Sequence, residues 1–221
     1  MILGAHIRAV TFDVGGTLIE PSPSVGHVYA EVAAQHGIRI APEVLDQRFV
    51  AAWKAKKNFG HSMQDWSDLV DDTFAGLTPV PPSRTFFSDL YRAFSEPAAW
   101  HVFEDVFPCL ERLRERGLRL GVISNWDERL GPLLKAIGLA DFFQSTAVSI
   151  EVGEPKPGRR IFDCAERELG VGAAYILHVG DTPLEDVEGA RRAGFEAVLL
   201  KRNGPASQQG QIASLRQLFE S

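Results

Sequence analysis

Four polar clusters along the chain contain residue types that could carry out chemistry, and the first is built around Asp13. This aspartate follows a short apolar stretch, residues 7–12, and precedes a turn that contains Gly15 and Gly16. A carboxylate at such a position can attack phosphorus or carbon covalently, and glycines let the backbone turn sharply close to a ligand. Thr17 adds a hydroxyl that could reach a substrate oxygen. The same residues also fit a simple turn with no chemical role.

The second and third clusters supply neutral and cationic groups for an anionic substrate. Ser124 and Asn125 end an apolar stretch, residues 118–124, just before the start of a predicted helix, a place that favours phosphoryl oxygens. Lys156 stands between two prolines, which restrict the backbone around it. Near Asp13, this lysine would neutralise both a nucleophile and a transferring phosphoryl group. Loop capping and an ordinary surface lysine are the structural alternatives.

The fourth cluster contains two carboxylates, Asp181 and Asp186, after an apolar stretch at residues 174–179. Two acidic side chains around the start of a helix could flank one hard cation. Mg²⁺ prefers few carboxylates and several waters, so this supply is sufficient. An acidic helix N-terminus that interacts favourably with the helix dipole is the structural alternative.

The elements that position these clusters alternate between strand and helix after about residue 105. Such alternation implies right-handed crossovers and a parallel sheet, which binds ligands outside the carboxyl ends of its strands. All four clusters lie at such ends. The predicted strands are residues 7–12, 118–124, 144–150, 174–179 and 196–200. The predicted helices are residues 107–116, 158–169, 184–193 and one that ends at residue 138 and has Asp127 as its N-cap.

The intervening segment, residues 21–104, has a helical pattern and no convincing strand. Its predicted helices are residues 24–36, 42–57, 64–75 and 84–94, with a proline-rich link before the last one. Helices of this length can bury their apolar faces together in a small bundle. The sequence therefore predicts an α/β core of residues 1–20 and 105–221 with a helical bundle, residues 21–104, inserted into it.

The composition is typical of a globular protein of the cell interior. The 221 residues are 45% hydrophobic and 24% charged and carry a formal net charge of −6, which disfavours a role centred on nucleic acid or an anionic membrane. The two cysteines are expected to be free thiols in a reducing compartment, and the N-terminus lacks a signal-peptide pattern. We therefore expect a cytoplasmic protein, monomeric or homodimeric, that binds a small-molecule substrate and neither nucleic acid nor membrane.

The order and spacing of the four clusters resemble those of the haloacid dehalogenase (HAD)-like hydrolase superfamily. The motifs are DxxGT at Asp13, SN at Ser124, the proline-flanked Lys156 and GDxxxxD from Gly180, and the resemblance covers residues 7 to about 200. It implies a doubly wound, Rossmann-like α/β core with an α-helical cap inserted between the first and second motifs. Such a cap closes over the substrate and supplies specificity.

The resemblance also implies roles for individual residues. Asp13 would be the nucleophile, and Lys156 would orient the phosphoryl group. The expected substrate-binding residues are Thr17, Ser124 and Asn125. The expected Mg²⁺ ligands are the carboxylates of Asp13, Asp181 and Asp186 and the backbone carbonyl of Gly15. Candidates to line the cavity under the cap are His27, Trp100, Phe103 and Trp126.

The chain departs from the phosphatases of this superfamily at Gly15. Those enzymes carry Asp-x-Asp in the first motif, and the second aspartate protonates the leaving group and then activates water. A positioned acid or base contributes about 10²–10⁴-fold in rate, so glycine here would leave turnover weakened unless another group replaces it. A good leaving group needs little protonation, and His27, His101 or a metal-bound water could also take the role.

Three functions remain open at this point. The leading one is a Mg²⁺-dependent phosphatase that acts on a small phosphorylated metabolite through an aspartyl-phosphate intermediate. A 2-haloacid dehalogenase or a phosphonate hydrolase is an alternative, because members with those activities also lack the second aspartate. Asp181 and Asp186 count against dehalogenation, which needs no Mg²⁺. The third is a weakly active or non-catalytic binding protein with the same fold.

Overall fold

The computed structural model describes residues 3–57, 59–202, 204 and 210–219. The chain divides into two compact units, one of Met1–Ile19 and Val102–Ser221 and the other of Glu20–His101.

The strands are β1 (Ala9–Phe12), β2 (Ile19–Pro21), β3 (Trp100–Val102), β4 (Arg119–Ser124), β5 (Ser145–Val148), β6 (Ile176–Gly180), β7 (Glu196–Leu200) and β8 (Gln211–Ile212). The α-helices are α1 (Val25–Gln35), α2 (Pro42–Ala55), α3 (Met63–Phe74), α4 (Phe87–Ala93), α5 (Val106–Glu115), α6 (Leu130–Ala136), α7 (Ser149–Val152), α8 (Arg159–Leu169) and α9 (Gly189–Arg192). Among the described helices, none combines the length and apolar character that a membrane-spanning segment needs.

Six parallel strands form the sheet of the first unit, in the order β5-β4-β1-β6-β7-β8. After β1 the chain adds β4 and β5 on one side and then crosses to add β6, β7 and β8 on the other. The strand order therefore switches direction beside β1, and in open α/β sheets the carboxyl ends of the strands at such a switch are the usual ligand-binding place. The observed topology confirms the predicted doubly wound α/β fold.

The central strands of this sheet are buried along their whole length. β1 (AVTF) and β6 (ILHVG) have every residue buried, as expected for parallel strands covered by helices on both faces. Phe162 of α8 belongs to the same buried cluster as Ile123 and Ile176. Two polar residues, Thr11 and His178, are also fully buried in this interior and occupy partner positions in the β1–β6 register.

The second unit contains α1 to α4 and has an aromatic core. The hydroxyl of Ser24 accepts a hydrogen bond from a backbone amide in the first turn of α1. Ser62 and Asp65 form a capping box at the start of α3, so both helices begin with satisfied amide groups. In the core, the rings of Tyr29 and Phe74 pack with centroids 5.7 Å apart. Large buried rings of this kind contribute strongly to the stability of a small bundle.

The short strands β2, β3 and β8 and the short helix α7 were not predicted. β2 and β3 pair in a two-stranded sheet, and they lie where the chain passes from one unit to the other. Each has three residues, which is too short for the alternation of apolar and polar residues that reveals a strand. The predicted strand at residues 144–150 ends early, because the chain turns into α7 after Val148.

One predicted helix detail is wrong, because α6 begins at Leu130 and Asp127 is not its N-cap. The buried carboxylate of Asp127 instead accepts hydrogen bonds from the backbone amide and the Nε of Arg129, at 3.0 and 2.8 Å. The helix predicted at residues 184–193 is present, and its first part is a π-helix, Pro183–Glu188, followed by α9.

Gly26 of α1 allows α1 and α2 to approach closely. A Cβ atom there would lie 2.2 Å from the carbonyl oxygen of Pro42 and 2.7 Å from the carboxyl carbon of Asp46. We expect Gly26→Ala to lower the free energy of unfolding by about 1–3 kcal/mol, the usual effect of overpacking. Urea denaturation followed by circular dichroism measures this change.

Glu31→Ala is the control, because Glu31 is an exposed residue of the same helix. This substitution adds no atoms between the helices and should change the free energy of unfolding by no more than about 0.5 kcal/mol. A Gly26→Ala variant with wild-type stability would show that α1 and α2 can move apart without a loss of stability.

Candidate active site

Predicted site residues meet at the carboxyl ends of neighbouring strands. Asp13 follows β1, Ser124 is the last residue of β4, and Asp181 follows β6. The hydroxyl of Ser124 donates a hydrogen bond of 3.1 Å to Asp13 Oδ1. The backbone amide of Asp13 donates to the carbonyl of Val179 at 2.9 Å, so the backbone is still tied to β6 where the side chain leaves the sheet.

The chain turns sharply after Asp13, and two glycines have different parts in this turn. Gly16 has a φ of +74°, which favours glycine, and a Cβ atom there would lie 2.5 Å from Asp181 Oδ2. A side chain at Gly16 would therefore collide with the carboxylate of Asp181. At Gly15, a Cβ atom would meet, among the described residues, an edge atom of the Trp126 ring at 3.4 Å. A Cβ atom at Gly15 would therefore make only an ordinary contact.

Lys156 is buried and links two carboxylates. Its Nζ donates to Asp13 Oδ1 at 2.7 Å and to Asp186 Oδ1 at 2.6 Å, and the residue is 3% exposed. Burial alone would lower the pKa of Lys156, but the charges of Asp13 and Asp186 raise it above its ordinary value. The side chain is therefore a permanent cation beside the candidate nucleophile.

Asn125 holds the loop that carries Lys156. Its Nδ2 donates to the carbonyl of Lys156 and to Glu185 Oε2, each at 3.0 Å. Its Oδ1 accepts a hydrogen bond of 2.6 Å from the backbone amide of Lys156. Both donors and the acceptor of this amide group are engaged. This arrangement argues against the predicted contact between Asn125 and substrate and makes Asn125 a residue that orients the lysine.

Thr17 is also buried, and its backbone carbonyl is hydrogen-bonded. The residue is fully buried, and its hydroxyl has no hydrogen-bond partner among the described residues. Its carbonyl accepts hydrogen bonds from Nε and Nη2 of Arg202, at 3.1 and 2.6 Å. Arg202 also pairs with Asp105 and lies 3.7 Å from the centre of the Phe103 ring. The burial of Thr17 argues against its predicted contact with substrate, and Phe103 supports Arg202.

Asp186 lies in the π-helix Pro183–Glu188, a rare element that is frequent at functional sites. Its Oδ1 accepts the hydrogen bond from Lys156 and lies 3.2 Å from His178 Nε2. Its Oδ2 accepts a hydrogen bond of 2.8 Å from the amide of Thr182. Burial opposes ionisation, but Lys156 and His178 hold the pKa of Asp186 well below its ordinary value. Asp186 is therefore an ionised carboxylate in the interior.

Three carboxylates converge at this edge of the sheet. One oxygen from each of Asp13, Asp181 and Asp186 lies within 4.8 Å of the others. Asp181 is the exposed member, yet the loss of water around its carboxylate and repulsion from Asp13 and Asp186 raise its pKa to about 7. Three carboxylates beside one lysine leave excess negative charge, and all their donor atoms are oxygens. This donor set fits a hard divalent cation such as Mg²⁺.

Two buried residues of this site were not predicted. His178 contacts Asp186 through Nε2, and its Nδ1 lies 2.9 Å from Thr11 Oγ1. Burial lowers the pKa of His178. The available signal was a polar residue inside each of two apolar strands. The sequence does not show that these strands are neighbours in register, so it could not join the two signals.

The candidates for the cavity lining fall in different units. Trp126 belongs to the first unit, beside Gly15, and its backbone amide and carbonyl are both hydrogen-bonded to the hydroxyl of Ser149, each at 3.0 Å. These two bonds fix the backbone that carries the indole ring. His27 and Trp100 belong to the second unit.

Comparison with known proteins agrees with this geometry. A protein-family model for haloacid dehalogenase-like hydrolases matches residues 7–194. The human haloacid dehalogenase-like hydrolase domain-containing protein 3 is 37% identical over 206 residues, which cover 88% of this chain and 82% of the human protein. The glyceraldehyde 3-phosphate phosphatase of Methanopyrus kandleri is 30% identical over 213 residues, which cover 89% of this chain and 84% of that protein.

Solved structures with the same architecture include a phosphatase and a dehalogenase. The HAD phosphatase from Thermococcus onnurineus is 26% identical, with a TM-score of 0.70 and coverage of 96% of both chains. The 2-haloacid dehalogenase from Pseudomonas syringae is 25% identical, with a TM-score of 0.66 and the same coverage. The sheet topology, the four motifs and the match over most of the chain together show that this protein belongs to the haloacid dehalogenase-like hydrolase family.

Proposed function

We propose that this protein is a Mg²⁺-dependent phosphatase that hydrolyses a small phosphorylated metabolite through an aspartyl-phosphate intermediate. The observation that carries the proposal is the buried ammonium group of Lys156, which lies 2.7 Å from Asp13 and 2.6 Å from Asp186. A fixed cation beside the candidate nucleophile would stabilise the charge that develops on a transferring phosphoryl group. The phosphatases among the similar proteins support the same class of reaction.

In this proposal Asp13 attacks phosphorus through a carboxylate oxygen. A bond forms between that oxygen and phosphorus while the bond between phosphorus and the leaving oxygen breaks. Water then cleaves the aspartyl-phosphate, which restores Asp13 and releases inorganic phosphate. Ser124 already donates to Asp13 at 3.1 Å, and its hydroxyl can turn to a phosphoryl oxygen. Because these groups are fixed at strand ends, little reorganisation is needed when substrate binds.

The carboxylate cluster is proposed to hold Mg²⁺, which would neutralise the phosphoryl group and polarise its oxygens. Asp13, Asp181 and the backbone carbonyl of Gly15 are its proposed direct ligands. Asp186 would contribute directly or through water, because both of its oxygens already accept hydrogen bonds. Binding of the cation would also relieve the repulsion that raises the pKa of Asp181 to about 7.

Gly15 restricts the substrates that this site can turn over quickly. With no carboxylate at this position, the leaving group departs with little help from a general acid. Phosphates whose leaving groups are weak bases, such as acyl phosphates, are therefore favoured. Trp126, the neighbour of Gly15, adds an apolar surface and no acid.

The two units are proposed to have different functions. The unit of Met1–Ile19 and Val102–Ser221 would carry out the chemistry, because every residue of the carboxylate cluster belongs to it. The helical unit, Glu20–His101, would act as the cap that selects the substrate. Exchange of surface residues in the helical unit should therefore change substrate preference more than it changes the dependence on Mg²⁺.

A second candidate function is dehalogenation of a 2-haloacid. The absence of a second aspartate at Gly15 and the similarity to the P. syringae dehalogenase favour it. In that reaction Asp13 would displace halide from carbon. Asp181 and Asp186 argue against it, because a haloacid needs no divalent cation.

Phosphate release tests the leading proposal. We expect the purified full-length protein to hydrolyse acetyl phosphate and p-nitrophenyl phosphate with Mg²⁺, and a chelator should abolish the activity. Asp13→Asn should reduce the rate to background, because an uncharged amide does not form the aspartyl-phosphate. A colorimetric assay of inorganic phosphate measures both effects.

Asp163→Asn serves as the control for this substitution, because Asp163 is a surface carboxylate that pairs with Arg159 on α8. It should retain the wild-type rate. Mg²⁺-dependent turnover by Asp13→Asn would contradict the assignment of the nucleophile. Halide release from 2-chloropropionate without Mg²⁺ would instead support the dehalogenase, and no turnover of either substrate would support a non-catalytic binding protein.

Gly15→Asp should restore the missing acid and base. The nearest obstacle to a Cβ atom is the Trp126 ring at 3.4 Å, a distance of ordinary contact. We expect kcat for a poor leaving group, such as that of glycerol phosphate, to rise by as much as about 10²–10⁴-fold. Acetyl phosphate should respond much less, since its leaving group needs no proton.

Gly15→Asn distinguishes acid catalysis from a change of shape. Asparagine has nearly the same size as aspartate and donates no proton of comparable acidity. If the two variants accelerate glycerol phosphate hydrolysis equally, or if neither does so, the acid is supplied from elsewhere and the explanation based on Gly15 is wrong.

A further inference from the structure

A buried hydrogen-bond chain runs from the interior of the sheet to Asp186. Thr11 and His178 are partners in the parallel register of β1 and β6, so their side chains leave the sheet on the same face. Both are fully buried. Thr11 Oγ1 lies 2.9 Å from His178 Nδ1, and His178 Nε2 lies 3.2 Å from Asp186 Oδ1. Neither Thr11 nor His178 is among the groups proposed to meet the substrate or the cation.

The directions of these hydrogen bonds follow from the charges around Asp186. An ionised carboxylate only accepts hydrogen bonds, so His178 Nε2 must carry the proton that faces Asp186. Lys156, which can only donate, approaches the same oxygen at 2.6 Å. The hydroxyl of Thr11 can donate or accept, so it satisfies Nδ1 whether or not that nitrogen carries a proton.

The neighbours of His178 and Asp186 leave both side chains little freedom. The ring of Phe162 meets the imidazole edge to face, with centroids 5.6 Å apart. The amide of Thr182 donates to Asp186 Oδ2 at 2.8 Å. A Cβ atom at Gly180 would lie 2.2 Å from the carboxyl carbon of Asp186, so the glycine is required for this close approach to β6.

We propose that His178 is a positioning residue: its ring, bonded to Thr11 at Nδ1, donates from Nε2 to Asp186 and so fixes the orientation of Asp186 and, through it, of Lys156. This inference rests on the proposed function, which gives Asp186 and Lys156 their roles. Without the bond from His178, Oδ1 of Asp186 would be held only by Lys156, and the ammonium group would be held less firmly beside Asp13. Outer hydrogen-bond partners of this kind change metal affinity or activity by about 10–100-fold.

The tautomer is directly measurable by two-dimensional ¹⁵N NMR of the imidazole rings in the full-length protein, without substrate or cation. His178→Gln identifies the signals of His178 by their loss. We expect a proton on Nε2. Thr11→Val removes the hydroxyl at nearly constant volume and should shift the Nδ1 resonance toward that of a nitrogen without a hydrogen bond. A ring that carries its proton on Nδ1 alone would overturn the inference.

His178→Gln and His178→Asn form a matched pair of variants. The amide of glutamine reaches about as far as Nε2 and can donate to Asp186, whereas that of asparagine reaches only the position of Nδ1 and can contact Thr11. We expect Mg²⁺ affinity, measured by isothermal titration calorimetry, to fall about 10–100-fold in the asparagine variant. The glutamine variant should recover most of the affinity. If His178 only filled space, the asparagine and glutamine variants would not differ in Mg²⁺ affinity in this way.

Two outcomes separate this inference from the proposed function. Wild-type Mg²⁺ affinity in a His178→Asn variant that is folded by circular dichroism would overturn the positioning role. A wild-type protein that shows the expected tautomer and binds Mg²⁺ but hydrolyses no phosphate ester would contradict the proposed function and support the positioning role. Through-bond correlations from the backbone to the ring assign the His178 signals in the wild-type protein itself, so the NMR measurement locates the proton even if the variants do not fold.

Discussion

The ammonium group of Lys156 determines how the other charges of the site can be arranged. It is nearly inaccessible to water and lies between Asp13 and Asp186. Moving one ion out of water costs several kcal/mol, and here two carboxylates offset that loss. Without the lysine, like charges would face one another and burial would favour protonated acids. The same arrangement of charges requires glycine at Gly16 and Gly180, because a Cβ atom at either position would overlap a carboxylate of the site.

The sheet positions Asp13 and Asp181, which directly follow its strands, but it does not hold the lysine. Asp13 continues from β1, and its amide is still bonded to β6, so its position is a property of the backbone. Lys156 lies outside the strands, and its loop depends on side-chain contacts with Asn125. Asn125 in turn is bonded to Glu185, next to Asp186. The second and fourth motifs therefore meet around the third. A change in any one of them should alter the position of the Lys156 ammonium group.

Local pattern was sufficient for the longer elements of the first unit and insufficient for the contacts between elements. β7 has the predicted bounds, and the end of β1 before Asp13 was predicted from a buried apolar stretch that meets a glycine turn. The partner of the Thr17 carbonyl and one partner of the Asn125 side chain lie 185 and 60 residues away along the chain. The types of these two residues suggested ligands, but their contacts depend on these distant partners. His178 was not predicted for the same reason, since its contacts depend on which strand is its neighbour.

In the proposed phosphatase, Gly15 would separate two contributions to catalysis that the family's phosphatases combine. The electrostatic contribution would come from the charges around Asp13, because Lys156 and the carboxylate cluster are held by hydrogen bonds to the rest of the site. The proton-transfer contribution, about 10²–10⁴-fold, would need an acid at a position that carries no side chain. A Cβ atom at Gly15 would make only an ordinary contact with Trp126, so the glycine is not required there by the close packing found at Gly16 and Gly180. Under the proposed function, a substrate whose leaving group needs no proton would leave a carboxylate at this position without a function, and this chemistry would account for Gly15.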